Sequence, residues 1–374
     1  MGVQASPEAL EERRMVGVNA ETVTNVTSTD FPGHYPGEDH AWSLAKFKKN
    51  FHVQFHDASD PLDCSFSLIG IDASIANAFR RILLAEIPTL AIEYVFVHIN
   101  TSIVQDEVLS HRLGLVPLKG NKDGLNWMKW FKKPTEDDPE GSAPTDINTV
   151  ILRLEVDCTY NAEAKKGETD PLKLYHNAHV YASSLTFHPA GRQTEFFTGP
   201  GKEICPVNPS ILLAKLRPEQ KIHLEMHCIK GIGADHAKFS PVATASYRLL
   251  PTITITQPIL GKDADKFARC FPKGVIALET VTRDEAAMSG SAYEGQEGVK
   301  KAVVRDTLRD TVSRECLRHE EFRGKVQLGR VRDHFIFSIE STGQFDSDEL
   351  FIESVKVLKV KCERLKRSLV NMVR

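Results

Sequence analysis

The chain holds 374 residues, 41% hydrophobic and 26% charged, the balance of a folded protein with apolar material for more than one core. A formal net charge of −3 excludes the broad basic field that non-specific binding to DNA or RNA requires. Seven cysteines, odd in number, widely spread and never paired as C-x-x-C, argue against a disulfide framework and read as free thiols in a reducing compartment.

The opening stretch "MGVQASPEALEERRMV" has no apolar h-region, and no later window approaches the roughly 18–20 apolar residues of a membrane span, so neither secretion nor a membrane is expected. Gly2 and Ser6 fit an acylation pattern, but Pro7 and the acidic Glu8, Glu11 and Glu12 stand where a second, basic anchor would be needed. Residues 1–47, rich in Thr, Gly, Pro and charge, read as an extension that orders only on a partner. Two short strand-like runs follow, Phe51 to Phe55 and Cys64 to Ile69. A helix comes next, with Asp72 as its N-cap and Pro88 closing it. Ile75, Phe79, Ile82 and Leu83 share its apolar face at helical spacing. Arg80 and Arg81 sit at its centre. Adjacent helical residues point about 100° apart, so the two cannot both join the apolar face, and a paired guanidinium edge suits a second, acidic or carbonyl-rich protein surface.

From about Glu93 the period changes to two. In "TVILRLEVDCTY", Val150, Leu152, Leu154, Val156 and Cys158 alternate with Arg153, Glu155 and Asp157; in "KIHLEMHCI", Ile222, Leu224, Met226 and Cys228 alternate with His223, Glu225 and His227. Both are half-buried strands. More strands follow Ser240, interrupted by a Gly- and Glu-rich linker near residues 284–298, and the charge-dense "RDTLRDTVSRECLRHEEFRGK" reads either as a solvated helix or as an interface. In the last element, Phe351, Val355, Leu358, Cys362, Leu365, Leu369 and Met372 recur at spacings of four and three, a heptad seam that wants another helix.

Chemistry-bearing motifs are absent. "HLEMH" mimics half of a zinc-protease motif, but on a strand His223 and His227 stand roughly 13 Å apart, too far for one ion; His52 and His56 fail alike. "KGIGADHAKF" lacks the third glycine of a dinucleotide loop, and neither a phosphate-binding P-loop nor a G-x-S-x-G elbow occurs. No catalytic, cofactor or metal site is expected.

Three stretches, "IDASIANAFRRILLAEIPTLAIEYV", "QDEVLSHRLGLVPLKG" and "KGIGADHAKFSPVATASYRLLP", closely resemble the α-like subunits of RNA polymerase, a family that includes the bacterial α N-terminal domain, the archaeal D subunit and eukaryotic α-like chains. The resemblance runs from about residue 47 to the C-terminus. "TNVTSTDFPG", "RDTVSRECLRHEEF" and "LGRVRDHFIFSIES" are similar to the branch shared by nuclear RNA polymerases I and III. Relatives outside that branch often carry a cysteine cluster for zinc or iron–sulfur; only the scattered Cys158, Cys205 and Cys228 occur here, so no metal site carries over.

The resemblance implies an α+β fold, with an α-like dimerisation domain at 48–90 and 240–374, a β-rich domain inserted at 91–239 and an N-terminal extension at 1–47. It further implies a non-catalytic assembly subunit of polymerases I and III in the nucleus, including the nucleolus. Such a chain would form a heterodimer with the smaller α-like subunit through Ile75, Phe79, Ile82, Phe351, Val355, Leu358, Cys362, Leu365 and Leu369. Asn77, Arg80 and Arg81 would face the second-largest subunits, alongside further polymerase subunits, with no membrane and no sequence-specific nucleic-acid contact. His111, Arg112, Leu113, Gly114, Leu115 and Pro117 match the family motif in the inserted domain. Alternatives are a stand-alone homodimeric adaptor using the same seam, or an enzyme whose site has no recognised signature.

Overall fold

A computed structural model describes residues 7–27, 33–133, 141–165 and 167–373; the Gly2–Ser6 pattern and residues 28–32 of the "TNVTSTDFPG" stretch lie outside them. In chain order, helix α1 (Pro7–Arg14) leads into strand β1 (Met15–Val18) and β2 (Val23–Thr24). Then come α2 (Leu44–Asn50), β3 (His52–Asp60), β4 (Asp63–Ile69) and α3 (Ala73–Ala85). Asp72 opens α3 as expected: its carboxylate accepts the Ser74 N–H at 2.8 Å, and hydrogen bonds from Ser74, side chain and backbone, hold that carboxyl below its ordinary range. Strand β5 (Thr89–Asn100) begins just past Pro88, and α4 (Asp106–Gly114) follows. The remaining elements needed here are β6 (Thr149–Asp157), β7 (Leu185–His188), β8 (Lys221–Gly231), β9 (Val242–Ile255), α5 (Gly261–Arg269), β10 (Ile276–Thr280), β11 (Lys300–Val304), β12 (Val326–Ser341) and α6 (Ser347–Val373).

The chain divides into two compact units. The first comprises residues 1–56, 66–76 and 247–337 and carries a six-stranded sheet in the order β2-β1-β12-β4-β3, with β9 also on β12. A row of aromatic rings crosses it: Phe55 lies 6.0 Å from Phe66, Phe66 stacks on Phe337 at 5.6 Å, and Tyr247 meets Phe337 at 5.4 Å. Beside the sheet, Phe267 packs edge-on against both Phe271 and Phe322, over a core that includes Ile259, Val275 and Cys316.

The extension is not wholly dependent on a partner. Strand β1 pairs antiparallel with β12, Met15 opposite Val331 through Val18 opposite Leu328; Val16 and Val18 are buried, and Arg14 bonds the Asp333 carboxylate at 2.9 Å. Four residues carry too little period to be read as a strand, and their pairing partner lies some three hundred positions away. The charge-dense stretch likewise forms no long helix. It makes three 3-10 turns, Thr307–Arg309, Glu315–Arg318 and Glu320–Phe322, pinned by the fully buried Cys316 and Phe322. Two apolar anchors six apart cannot make a helical stripe. The stretch near 284–298 is the connection of the β10–β11 hairpin, and it holds a one-turn helix with a Thr282/Glu285 capping box.

The second unit comprises 57–65, 77–246 and 338–374. Its main sheet runs β7-β6-β8-β5 and is antiparallel throughout. Ile222, Leu224, Met226 and Cys228 on β8, and Val150, Leu152 and Leu154 on β6, are essentially inaccessible, so the period-two alternation holds. Leu109 and Leu113 of α4 join the same core. All seven cysteines are free, and burial pushes the Cys228 and Cys316 thiols well up, which leaves them inert as nucleophiles.

The turn between β4 and α3 depends on one glycine. Gly70 has φ +80°, and a Cβ there would stand 2.3 Å from the Asn50 carbonyl oxygen, while its N–H donates to the Asp333 carbonyl at 2.8 Å. Gly70→Ala is expected to destabilise the protein by about 2 kcal/mol, read from urea or thermal midpoints of the full chain; an unchanged midpoint would show that the turn tolerates a side chain.

Candidate protein–protein interface

Helix α6 is 27 residues long, about 40 Å at 1.5 Å per residue. Asp348 and Glu349 in its first turn complement the positive end of the helix dipole. Within the second unit it buries Leu350 and Ser354 completely and covers Val357 and Leu358 in part. From Lys359 to Met372 every residue is exposed. The buried register therefore runs through 350, 354 and 357, one residue back from the heptad seam. Of the seam, Phe351 is half-buried edge-on against Phe79, 5.2 Å between centroids. Val355 is 42% exposed, Leu365 65% and Leu369 62%, and Cys362 is exposed with them, so the chain's own core leaves most of the seam uncovered.

Two ion-pair ties fix the helix. Lys361 Nζ reaches both oxygens of Glu86 at 2.7 and 2.8 Å, and Lys122 Nζ lies 2.9 Å from Glu353 and 3.9 Å from Glu349. Burial would raise the Glu353 carboxyl, but hydrogen bonds from Lys356 and Lys122 outweigh it and hold the group below its ordinary range. Neither tie is visible as a local sequence pattern, because each joins residues more than two hundred positions apart.

Helix α3 presents its groups in three directions. Ile82 and Leu83 are buried, whereas Ile75 is 39% exposed, so the four-residue apolar face expected from spacing is only half covered by the chain itself. Asn77 Oδ1 accepts from Arg80 Nε and Nη2 at 3.1 and 3.0 Å, which fixes that guanidinium against the helix. Arg81 is exposed and has no hydrogen-bond or ion-pair partner among the described residues. The C-terminal end of α3 is held by the "KGIGADHAKF" loop. A Cβ on Gly233 would lie 2.1 Å from the Leu84 carbonyl oxygen, and the Ala234 N–H donates to the Ala85 carbonyl at 2.9 Å. The glycine serves close backbone packing.

The matched motif on α4 is split between structure and surface. Arg112 donates to the carbonyls of Leu213 and Leu212 at 3.2 and 2.6 Å, and the Pro117 carbonyl accepts from Val207 N–H, so both stitch α4 and its exit to neighbouring strands. Leu113 is fully buried, Leu115 is 50% exposed, and Gly114 lies against the Ile92 carbonyl. His111 is exposed and lines, with Ser110, Glu93 and Lys238, a cleft of about 260 Å³. Glu93 is clamped between Lys133 at 2.7 Å and Lys238 at 2.6 Å.

The histidines form no ligand set. His223 bonds Asp157 at 2.9 Å, His227 lies on Phe96 with 4.7 Å between ring centroids, and no group of three or more metal-ligating side chains occurs among the described residues. No described helix is long and apolar enough to cross a membrane.

Helix α6, its apolar register largely uncovered, meets the shorter α3 at Phe351–Phe79 and at Lys361–Glu86, and of the two central arginines of α3 one is bonded internally and the other is exposed. The chain belongs to the α-like family of RNA polymerase subunits: residues 65–362 match the RNA polymerase Rpb3/Rpb11 dimerisation domain. Over 94% of its length it is 51% identical to a Saccharomyces cerevisiae protein named DNA-directed RNA polymerases I and III subunit RPAC1, spanning 97% of that protein. The Homo sapiens protein of the same name is 48% identical over 96% of each chain, and the Dictyostelium discoideum one 37% identical over 99% of this chain and 97% of its own. The α+β fold expected from the resemblance is the one observed.

The Lys122–Glu353 tie has a pH signature. A carboxyl held below its ordinary value adds stability that is present above that value, 4.5 for a glutamate, and lost as pH falls through the lowered one. Lys122→Met should therefore lower the melting temperature at pH 7, with a loss that shrinks as pH falls below the ordinary glutamate value; a loss that stays constant down the acid range would mean that the lysine acts through packing alone.

Proposed function

We propose that the chain is a non-catalytic scaffold subunit common to DNA-directed RNA polymerases I and III. Near-full-length similarity to proteins named as a subunit of those two polymerases supports it, and the matched dimerisation domain supports assembly with other polymerase subunits. Such a chain works in the nucleus, and where it serves ribosomal RNA synthesis, in the nucleolus. Nucleotide addition and its metal ions belong to other chains.

The mechanism rests on the uncovered register of α6. Each large side chain buried there would contribute about 1.5–3 kcal/mol, and a heterodimer with the smaller α-like subunit covers Val355, Leu358, Cys362, Leu365 and Leu369, together with Ile75 and the Phe79–Phe351 edge. Ile82 supports that face from below, since the chain's own core already buries it. Arg81, without a side-chain partner among the described residues, and Arg80, held in place by Asn77, then offer two guanidinium groups to the second-largest subunit of either polymerase, suited to carboxylates or backbone carbonyls. In this reading residues 48–90 and 240–374 form the dimerisation domain around an inserted domain at 91–239, whose His111–Pro117 motif is split between stitching and an exposed cleft.

Two variants separate the two contacts. Leu365→Asp with Leu369→Asp should reduce recovery of the smaller subunit in co-purification at least about tenfold, whereas Arg81→Glu should preserve the heterodimer and weaken capture of the second-largest subunit by a similar factor. Full recovery of the large subunit with Arg81→Glu would count against the guanidinium contact; an intact heterodimer with the double variant would count against the seam.

A further inference from the structure

Among the described residues, strand β3 has β4 on one side and no strand on the other, and over His52–Phe55 it is exposed on both faces. Val53 is 47% exposed and Phe55 65%. The usual protections of a sheet edge, a lysine, a proline or a covering element, are absent from His52–His56. This edge is also held in place. His56 Nε2 bonds the buried Ser67 hydroxyl at 2.6 Å, and Phe47 stacks on Phe51 at 5.3 Å across the α2–β3 corner, where Gly70 allows the Asn50 carbonyl its close approach.

Two features say what covers it. Phe55 is the open end of the aromatic row that runs through Phe66 and Phe337 to Tyr247, so a neighbouring strand would continue the row with an apolar or aromatic side chain. Lys48 and Lys49, exposed in the last turn of α2 immediately before β3, have no ion-pair partner among the described residues. We infer that the free edge of β3 at His52–His56 docks an extended acidic segment of a partner protein, pairing main chain to main chain, with an apolar side chain against Phe55 and carboxylates at Lys48 and Lys49. This surface uses neither the α6 seam nor Arg81, so it stands apart from the assembly reading above.

The probe is an acetylated, amidated heptapeptide alternating glutamate with valine and phenylalanine, added to the full-length chain and followed by amide hydrogen exchange. It should slow exchange at His52–His56 by about tenfold or more, while the matching lysine peptide and an oligouridylate should not. Phe55→Ser should abolish the protection, and Lys48→Glu with Lys49→Glu, both at exposed positions, should transfer it to the lysine peptide. No protection by the glutamate peptide, equal protection by both peptides, an unchanged preference in the double lysine variant, or protection by oligouridylate instead would overturn the proposal.

Discussion

Helix α6 carries two adjacent registers, and the chain's own core seals only one of them. Leu350 and Ser354 are sealed, while Val355, Cys362, Leu365 and Leu369 lie about 100° round the helix and face outward. A third of that length would suffice to pack the buried register. The remaining turns cost ordering entropy and expose apolar surface, a cost that a second helix would offset. The neighbouring features follow from that constraint: Phe79 meets Phe351 where the seam begins, and Glu86 takes Lys361 where the free turns begin.

Holding α3 is therefore as important as exposing α6. Asp72 caps its first turn, Gly233 and Ala234 seat its last, and Ile82 and Leu83 bury its inner face. With both ends fixed, a guanidinium on the outer face points in a defined direction. Asn77 restrains Arg80 further at little cost, because side chains three apart on a helix are already neighbours. The two arginines are thus unlike: one is aimed by an internal bond, and the other has no side-chain partner among the described residues.

Sequence revealed what is local and periodic. The α3 cap, its buried Ile82 and Leu83, and the alternation on β6 and β8 could be read directly, since burial on one face writes itself into the period. It could not distinguish registers one residue apart on α6, because Leu350, Ser354 and Val357 recur at the same spacings as the seam and helical periods of 3.5 and 3.6 hardly diverge over this length. Pairings remote in sequence, such as β1 with β12, Lys122 with Glu353 and Gly233 with Leu84, leave no local trace. Arg112 shows the limit of a matched motif: the match assigns it no role, and its guanidinium donates to two backbone carbonyls.

The exposed groups fall into chemically distinct kinds, and that has a consequence for assembly. An apolar helical seam gains its energy from surface removed from water and is little affected by salt, whereas the contact of an exposed guanidinium is screened within about 8 Å at physiological ionic strength. A chain joined to one partner by the first and to another by the second would have a built-in order of association: the apolar contact would survive salt that releases the charged one. A net charge of −3 is compatible with such an arrangement, because specificity would then come from a few placed cations beside an apolar stripe, with no overall field to draw in nucleic acid.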